Sequence, residues 1–275
     1  SVVTNITAIN LSGANGTTNI IDGNGDALVT LANLTDTNNP NLTVNSEGSI
    51  TLAGADLGTG THLFNTDNDD DGTETLQVND AATFNVGAAT FRGGTGTNDT
   101  IDINADITAA TTLTIQNAAT VDLAASVDLT TTNGALSVVS NVTAINLSGA
   151  AGTSNVIDGN GDALVTLAAI SDTGTPDSLT VNSEGNVTLV SVDIAKNLIV
   201  NADNDNDTAS ATLTAGALTA GGSIALSTGT DNNDTANLNG AINAGTTFAV
   251  SNGQALISSG TITAGTGQTY GSNVF

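Results

Sequence analysis

The chain has no cysteine, methionine or tryptophan, only two prolines, one histidine (His62) and two cations, Arg92 and Lys196. Each scarcity closes off an explanation. Without cysteine there is neither disulfide stapling nor a thiolate metal site. With one imidazole and no thiol, no nucleophile can be set beside a base, so an enzyme is not expected. Paired carboxylates could in principle hydrolyse a glycan, but the aromatic platforms and basic residues that accompany such sites are missing. A net charge of −25 leaves no basic patch for nucleic acid or an anionic membrane surface. No apolar run approaches the length of a membrane span, so no membrane insertion is expected. Three glutamates (Glu47, Glu74, Glu184) stand against 24 aspartates, and Lys and Arg are almost absent, so the usual helix formers are avoided. Two sites for trypsin-like cleavage fit a secreted, extracellular, cell-surface location. The chain opens in mid-pattern without Met and shows no signal peptide, as a mature or excerpted piece of a longer protein would.

What the sequence does contain is a long repeat. Ser1-Val2-Val3-Thr4-Asn5-Ile6-Thr7-Ala8-Ile9-Asn10-Leu11-Ser12-Gly13-Ala14 returns from Ser137 to Ala150, an offset of 136 residues. Ile21–Leu31 recurs as Ile157–Leu167, Leu42–Gly48 as Leu179–Gly185, and Asn98-Asp99-Thr100 as Asn233-Asp234-Thr235. The two units are therefore 1–136 and 137–275, read as one continuous rod. Substitutions between them (Ile6 to Val142, Ile20 to Val156, Leu34 to Ile170) exchange one aliphatic for another, as a buried β position allows.

Within each unit, short segments alternate aliphatic and polar residues: Leu113-Thr114-Ile115, Val121-Asp122-Leu123, Val127-Asp128-Leu129, Leu136-Ser137-Val138. Gly, Asn and Asp clusters with turn chemistry separate them, and no gap is long enough for a crossover helix. Inward aliphatics and outward Thr, Asn and Asp are the pattern of a single-stranded parallel β-helix, an all-β solenoid. Two or three segments per turn give about 20 residues per coil, about seven coils per unit and a rod of roughly 65 Å. Two β-sandwiches are the rival reading; six aromatics, without Trp, are few for two sandwich cores.

The strongest chemical motif is Asp67-Asn68-Asp69-Asp70-Asp71-Gly72, with Glu74 just beyond, echoed by Asp203-Asn204-Asp205-Asn206-Asp207. Alternate carboxylates (Asp67, Asp69, Asp71; Asp203, Asp205, Asp207) with a glycine bend resemble the first half of a Ca2+ loop. Val78 stands where an EF-hand would place its bidentate Glu, so the shell would have to be completed from a neighbouring coil. Weaker Ca2+ candidates are Asp22, Asn24 and Asp26 and their copies Asp158, Asn160 and Asp162, whose Asp-Gly and Asn-Gly pairs also serve as plain turns. Gly93–Asp99 is similar to a repeats-in-toxin nonapeptide but carries an extra residue. His62, beside Leu63 and Phe64 and without a histidine counterpart in the second unit, reads as a turn or surface residue.

The Thr/Asn/Ala/Gly-rich coils, segments such as Thr111–Ile115 and Gly221–Leu226, and the ending Ala264–Gly271 resemble filamentous-haemagglutinin-like and autotransporter-like bacterial surface proteins. The resemblance implies a secreted, right-handed parallel β-helix serving as an adhesin or extracellular fibre. Two functions follow as expectations. One is a structural filament, sheath or fibrous-adhesin unit, stiffened by Ca2+ and stacking on further copies of itself. The other is an adhesin module whose outward Thr/Asn array contacts surface glycans, with ice a more remote ligand because the Thr spacing is irregular.

Overall fold

The structure, a computed structural model, describes residues 7–69, 72–79, 84–94, 98–148, 152–172, 178–205, 207, 209–230, 233–257 and 260–271. Among these there is no helix, and every strand pairing is parallel. The chain is a β-solenoid with three faces, each turn laying one strand on each.

Face A stacks twelve strands, beginning Ala8–Ser12, Asn33–Thr37, Ala55–Asp56 and Phe84–Val86 and ending at Gly267–Tyr270. Face B begins Thr18–Gly23, Asn41–Ser46, Thr61–Thr66 and Ala88–Gly93; face C begins Val29–Leu31, Ile50–Leu52, Thr75–Val78 and Thr100–Ile103. Val187–Ile194 and Thr212–Ala220 each run round the corner from face B to face C, serving both stacks with one strand.

Alternation does the sorting. On face C, Leu31, Leu52, Val78, Ile103, Leu123 and Leu147 point inward in one buried column. Their neighbours Thr30, Thr51, Gln77, Asp102, Asp122 and Asn146 form a polar ladder outside. The ladder bonds to itself: Gln77 Nε2 donates to Asp102 Oδ2 at 2.9 Å and Asn146 Nδ2 to Asp122 Oδ1 at 2.8 Å. Each fully buried aliphatic contributes about 1.5–3 kcal/mol, so stability grows turn by turn rather than residing in one nucleus of the fold.

A turn takes roughly 24 residues, not the expected 20, and the rod has about ten turns rather than fourteen. The difference comes from short strands hidden by continuous alternation. Ala27–Leu34 and Thr100–Ile107 each read as one strand, yet Val29–Leu31 and Asn33–Thr37 lie on faces C and A, as do Thr100–Ile103 and Ile107–Ala109. The two-residue strand Ala55–Asp56 left no periodic signal at all.

This coil length has a consequence for the repeat. Ala8–Ser12 lies on face A, but its copy within Val142–Leu147 lies on face C. Thr18–Gly23 on face B is copied by Ser154–Gly159 on face A, and Val29–Leu31 on face C by Val165–Leu167 on face B. The 136-residue unit thus spans five turns and two faces of a sixth, and the second unit is rotated by one face, about 120° for a three-faced coil. Pairing runs through the boundary without a break: Ala118–Leu123 carries Val142–Leu147, Asp128–Thr131 carries Ser154–Gly159, and Leu136–Val138 carries Val165–Leu167.

His62 is not at the surface. It is fully buried on face B, paired with Leu42 below and Ala89 above, at the position that Leu198 fills in the second unit. Alternation put it there, and the small Ala89, where the second unit has Ile224, makes room.

Candidate acidic corners

The aspartate-rich loops occupy one corner in each unit. In the first unit it is the corner between faces B and C; in the second, one face round, it is the corner between A and B. At both, the strand ends in an aspartate with left-handed backbone, Asp67 (φ 48°) and Asp203 (φ 53°), a conformation Asp tolerates better than most residues. That bend turns the carboxylate back under the loop, where Asp67 is 2% and Asp203 1% exposed.

The following turn brings a second buried aspartate to the same place. Asp99 Oδ1 accepts the amide of Glu74 at 2.8 Å, and Asp234 Oδ1 accepts the amide of Ala211 at 2.9 Å, so the two corners are built alike. In the first, oxygens of Asp67, Glu74 and Asp99 lie within 4.8 Å of one another. In the second, Ala211 replaces the glutamate. There both oxygens of Asp203 are buried and make no hydrogen bond of ordinary geometry, although the Asp207 amide approaches the carboxylate. Gly229 (φ 79°) roofs the pair: a Cβ on it would collide with Asp203 Oδ2 and come within 2.8 Å of Asp234 Oδ2.

Desolvation, then the charges of Asp234 and Asp205, push the Asp203 carboxyl up to about 6, with the Asp207 backbone amide opposing. Because this folded-state value lies above the ordinary carboxyl value of 3.8, the folded chain holds its proton more tightly than the unfolded one. Stability contributed there falls as pH rises from about 4 to 6 and does not return at neutral pH unless another positive charge takes the proton's place.

A third group joins two motifs that the sequence kept apart. Asp162, Asp205 and Asp207 approach within 4.8 Å, the first two exposed and Asp207 half-buried. The neighbouring Asp207 is the main reason the Asp162 carboxyl is raised, followed by burial and by Asp205 and Glu184.

The candidate ligands thus separate. Asp67 meets Glu74 and Asp99, while Asp69 is exposed and belongs to no such group among the described residues. Asp71 lies outside the described residues, as do Asp70 and Thr95–Thr97 of the nonapeptide-like loop. Asp203 meets Asp234, whereas Asp205 and Asp207 also turn to Asp162. Asp22, Asn24 and Asp26 are exposed; the Gly25 amide in this turn donates to Glu47 of the next turn, and the Gly161 amide likewise to Glu184. Asn160 Nδ2 donates to Thr131 O at 2.9 Å, a turn role. Asp158 is half-buried and its carboxyl is raised by burial, with the Asn160 side chain opposing and Glu184 adding. Asp99 and Asp234 were the members missed. Their signal was the Asn-Asp-Thr recurrence at 98–100 and 233–235, but nothing local linked it to the loop a turn earlier.

Away from the corners, a shallow groove of about 270 Å3 lined by Val139–Thr143, Ala168, Ala169 and Val190 holds no titratable side chain. Among the described residues no helix is long and apolar enough to cross a membrane. Compared with family models, curated proteins and solved structures, the chain matches none.

Proposed function

We propose that the chain is a structural rod: a repeat unit of a secreted bacterial surface filament, sheath or giant fibrous adhesin, lengthened by turn-on-turn stacking and joined end to end with further copies. The observation that carries this reading is the unit-to-unit junction. Three strands of one unit receive three strands of the next in unbroken parallel register, with a rotation of one face. The copies of those donor strands are Gln254–Ile257, Ile262–Ala264 and Gly267–Tyr270; the copies of the receiving strands are Ala8–Ser12, Thr18–Gly23 and Val29–Leu31. The contact between copies would therefore repeat the one inside the chain. Ile21, half-buried, would then gain the cover that makes its copy Ile157 only 1% exposed. Gln268 and Tyr270 stand where Leu136 and Val138 do, so that contact is more polar than the internal one.

Sedimentation velocity and negative-stain microscopy of the 275-residue chain test this. The expected result is concentration-dependent growth of rods in steps of roughly 50 Å, set by a strand spacing near 4.8 Å, and its loss in Ile21→Asp. Rods of one length at every concentration would end the self-stacking reading. The paucity of Lys and Arg supports placement outside the cell, which surface labelling of intact cells would check.

The polar ladder of face C favours a second reading, an adhesin whose outward Thr, Asn and Asp side chains bind a glycan surface. Short rods that give saturable signal on a glycan array would favour it over the filament.

A further inference from the structure

The carboxylates of the second unit's corner are arranged for a ligand that the rod reading does not require. Asp203 is 1% exposed, and neither of its oxygens makes a hydrogen bond of ordinary geometry, the Asp207 amide only approaching the carboxylate. A carboxylate so placed is expensive to bury, and a second buried carboxylate, Asp234, stands beside it. Gly229 keeps the space over both oxygens open, since any Cβ there would fill it. The chain's two cations do not serve the corner: Arg92 lies on face B of the first unit, its Nε donating to Gly94 O at 2.9 Å, and Lys196 is exposed in the turn before Leu198–Asn201.

We propose that this corner is a calcium site, in which the ion sits between two successive turns, bound by Asp203 from one and Asp234 from the next. Asp205 and Asp207 at the rim and water supply further oxygens. The donor set is all oxygen and mostly anionic, which selects a hard divalent cation. An irregular β-corner suits the flexible coordination of Ca2+ better than the strict octahedron of Mg2+. Asp67, Asp99 and Glu74 form the counterpart in the first unit, where Gly94, five residues before Asp99 as Gly229 is before Asp234, shares the left-handed backbone of Gly229. The ion ties turn to turn: its ligands are 31 residues apart in the chain in the second unit and 32 in the first, but adjacent along the rod axis.

Calorimetric titration of the chelator-stripped chain with CaCl2, alone and against MgCl2, decides the matter. The expected result is saturable Ca2+ binding, preferred over Mg2+, with one equivalent lost in Asp203→Asn and in Asp234→Asn. The metal-free melting temperature should be retained or raised in Asp203→Asn, because a buried charge has gone, so loss of binding is not loss of fold. Absence of saturable binding in the unmodified chain overturns the site. So does full stoichiometry in both variants, or binding abolished only by the paired change Asp205→Asn and Asp207→Asn, which would place the ion at the exposed Asp162 cluster. Calorimetry reads this site whether or not the rods associate, so its failure and that of the stacking reading are separable.

Discussion

The two units share their strands and corners but fill them differently. In the first, Phe64, Phe84 and Phe91 form a buried aromatic trio, with Phe64 and Phe91 stacked at 5.2 Å and Phe84 edge-on to Phe64 at 6.1 Å. Stacking register places Val200, Leu218 and Leu226 at those positions in the second unit. The first unit buries His62 where the second has Leu198, and supplies Glu74 where the second has Ala211. A solenoid core tolerates such exchanges when neighbouring turns adjust, as the pairs His62 with Ala89 and Leu198 with Ile224 show. Backbone register is common property, whereas side-chain filling is local to two or three turns.

The largest break in that equivalence is expected at the aromatic trio. Phe91→Ala should destabilise the chain by about 3–5 kcal/mol, and the matched Leu226→Ala by about 2–5 kcal/mol, toward the lower end if its turn collapses into the gap. Chemical denaturation measures both, and if unfolding is not two-state across the rod the loss should appear in the transition of the altered unit.

His62→Leu, which copies the second unit, should stabilise by about 1–3 kcal/mol, because the buried Nδ1 has no hydrogen-bond partner. Burial holds the His62 imidazole below its ordinary value of 6.5, with the Gly58 carbonyl and Asp36 opposing. The unfolded chain therefore takes up this proton first as pH falls. Stability is full above about 6.5 and is lost below it, down to the depressed folded value. Melting curves between pH 7.5 and 5 should show this component in the original chain and not in His62→Leu; equal acid sensitivity would rule it out.

Ala211→Glu should give the second corner the three-carboxylate set of the first. Ca2+ affinity there is expected to rise by about tenfold, and Glu74→Ala to lower affinity at the first corner by a similar factor, as added or removed ligand charge does at other Ca2+ sites. Titration calorimetry reads both. The smallest effect is expected at an outward position: Ile199→Thr, on the exposed side of face A, should shift stability by no more than about 0.5 kcal/mol.

Much of the fold was legible. Alternation in Leu113–Gln116, Ala118–Leu123 and Leu136–Val138 specified both strand and inward face, since each inward residue there must be small enough to stack and apolar enough to bury. Coil length was less legible, because Ala32 and the 104–106 corner keep the alternation going while the chain changes face. His62 was misjudged by chemistry when its position in the pattern was the better guide. Of the acidic corners, the left-handed aspartates and their recurrence could be read locally, but their partners could not.

The sequence alone determined what repeats and which side of each strand is apolar, because strand sidedness has a period of two and is written between neighbours. Only the tertiary structure decided which residues meet along the axis. Those contacts join positions roughly 24 residues apart, and the separation depends on how many corners close each turn. The meeting of Asp203 with Asp234, and the one-face rotation between units, are products of that closure.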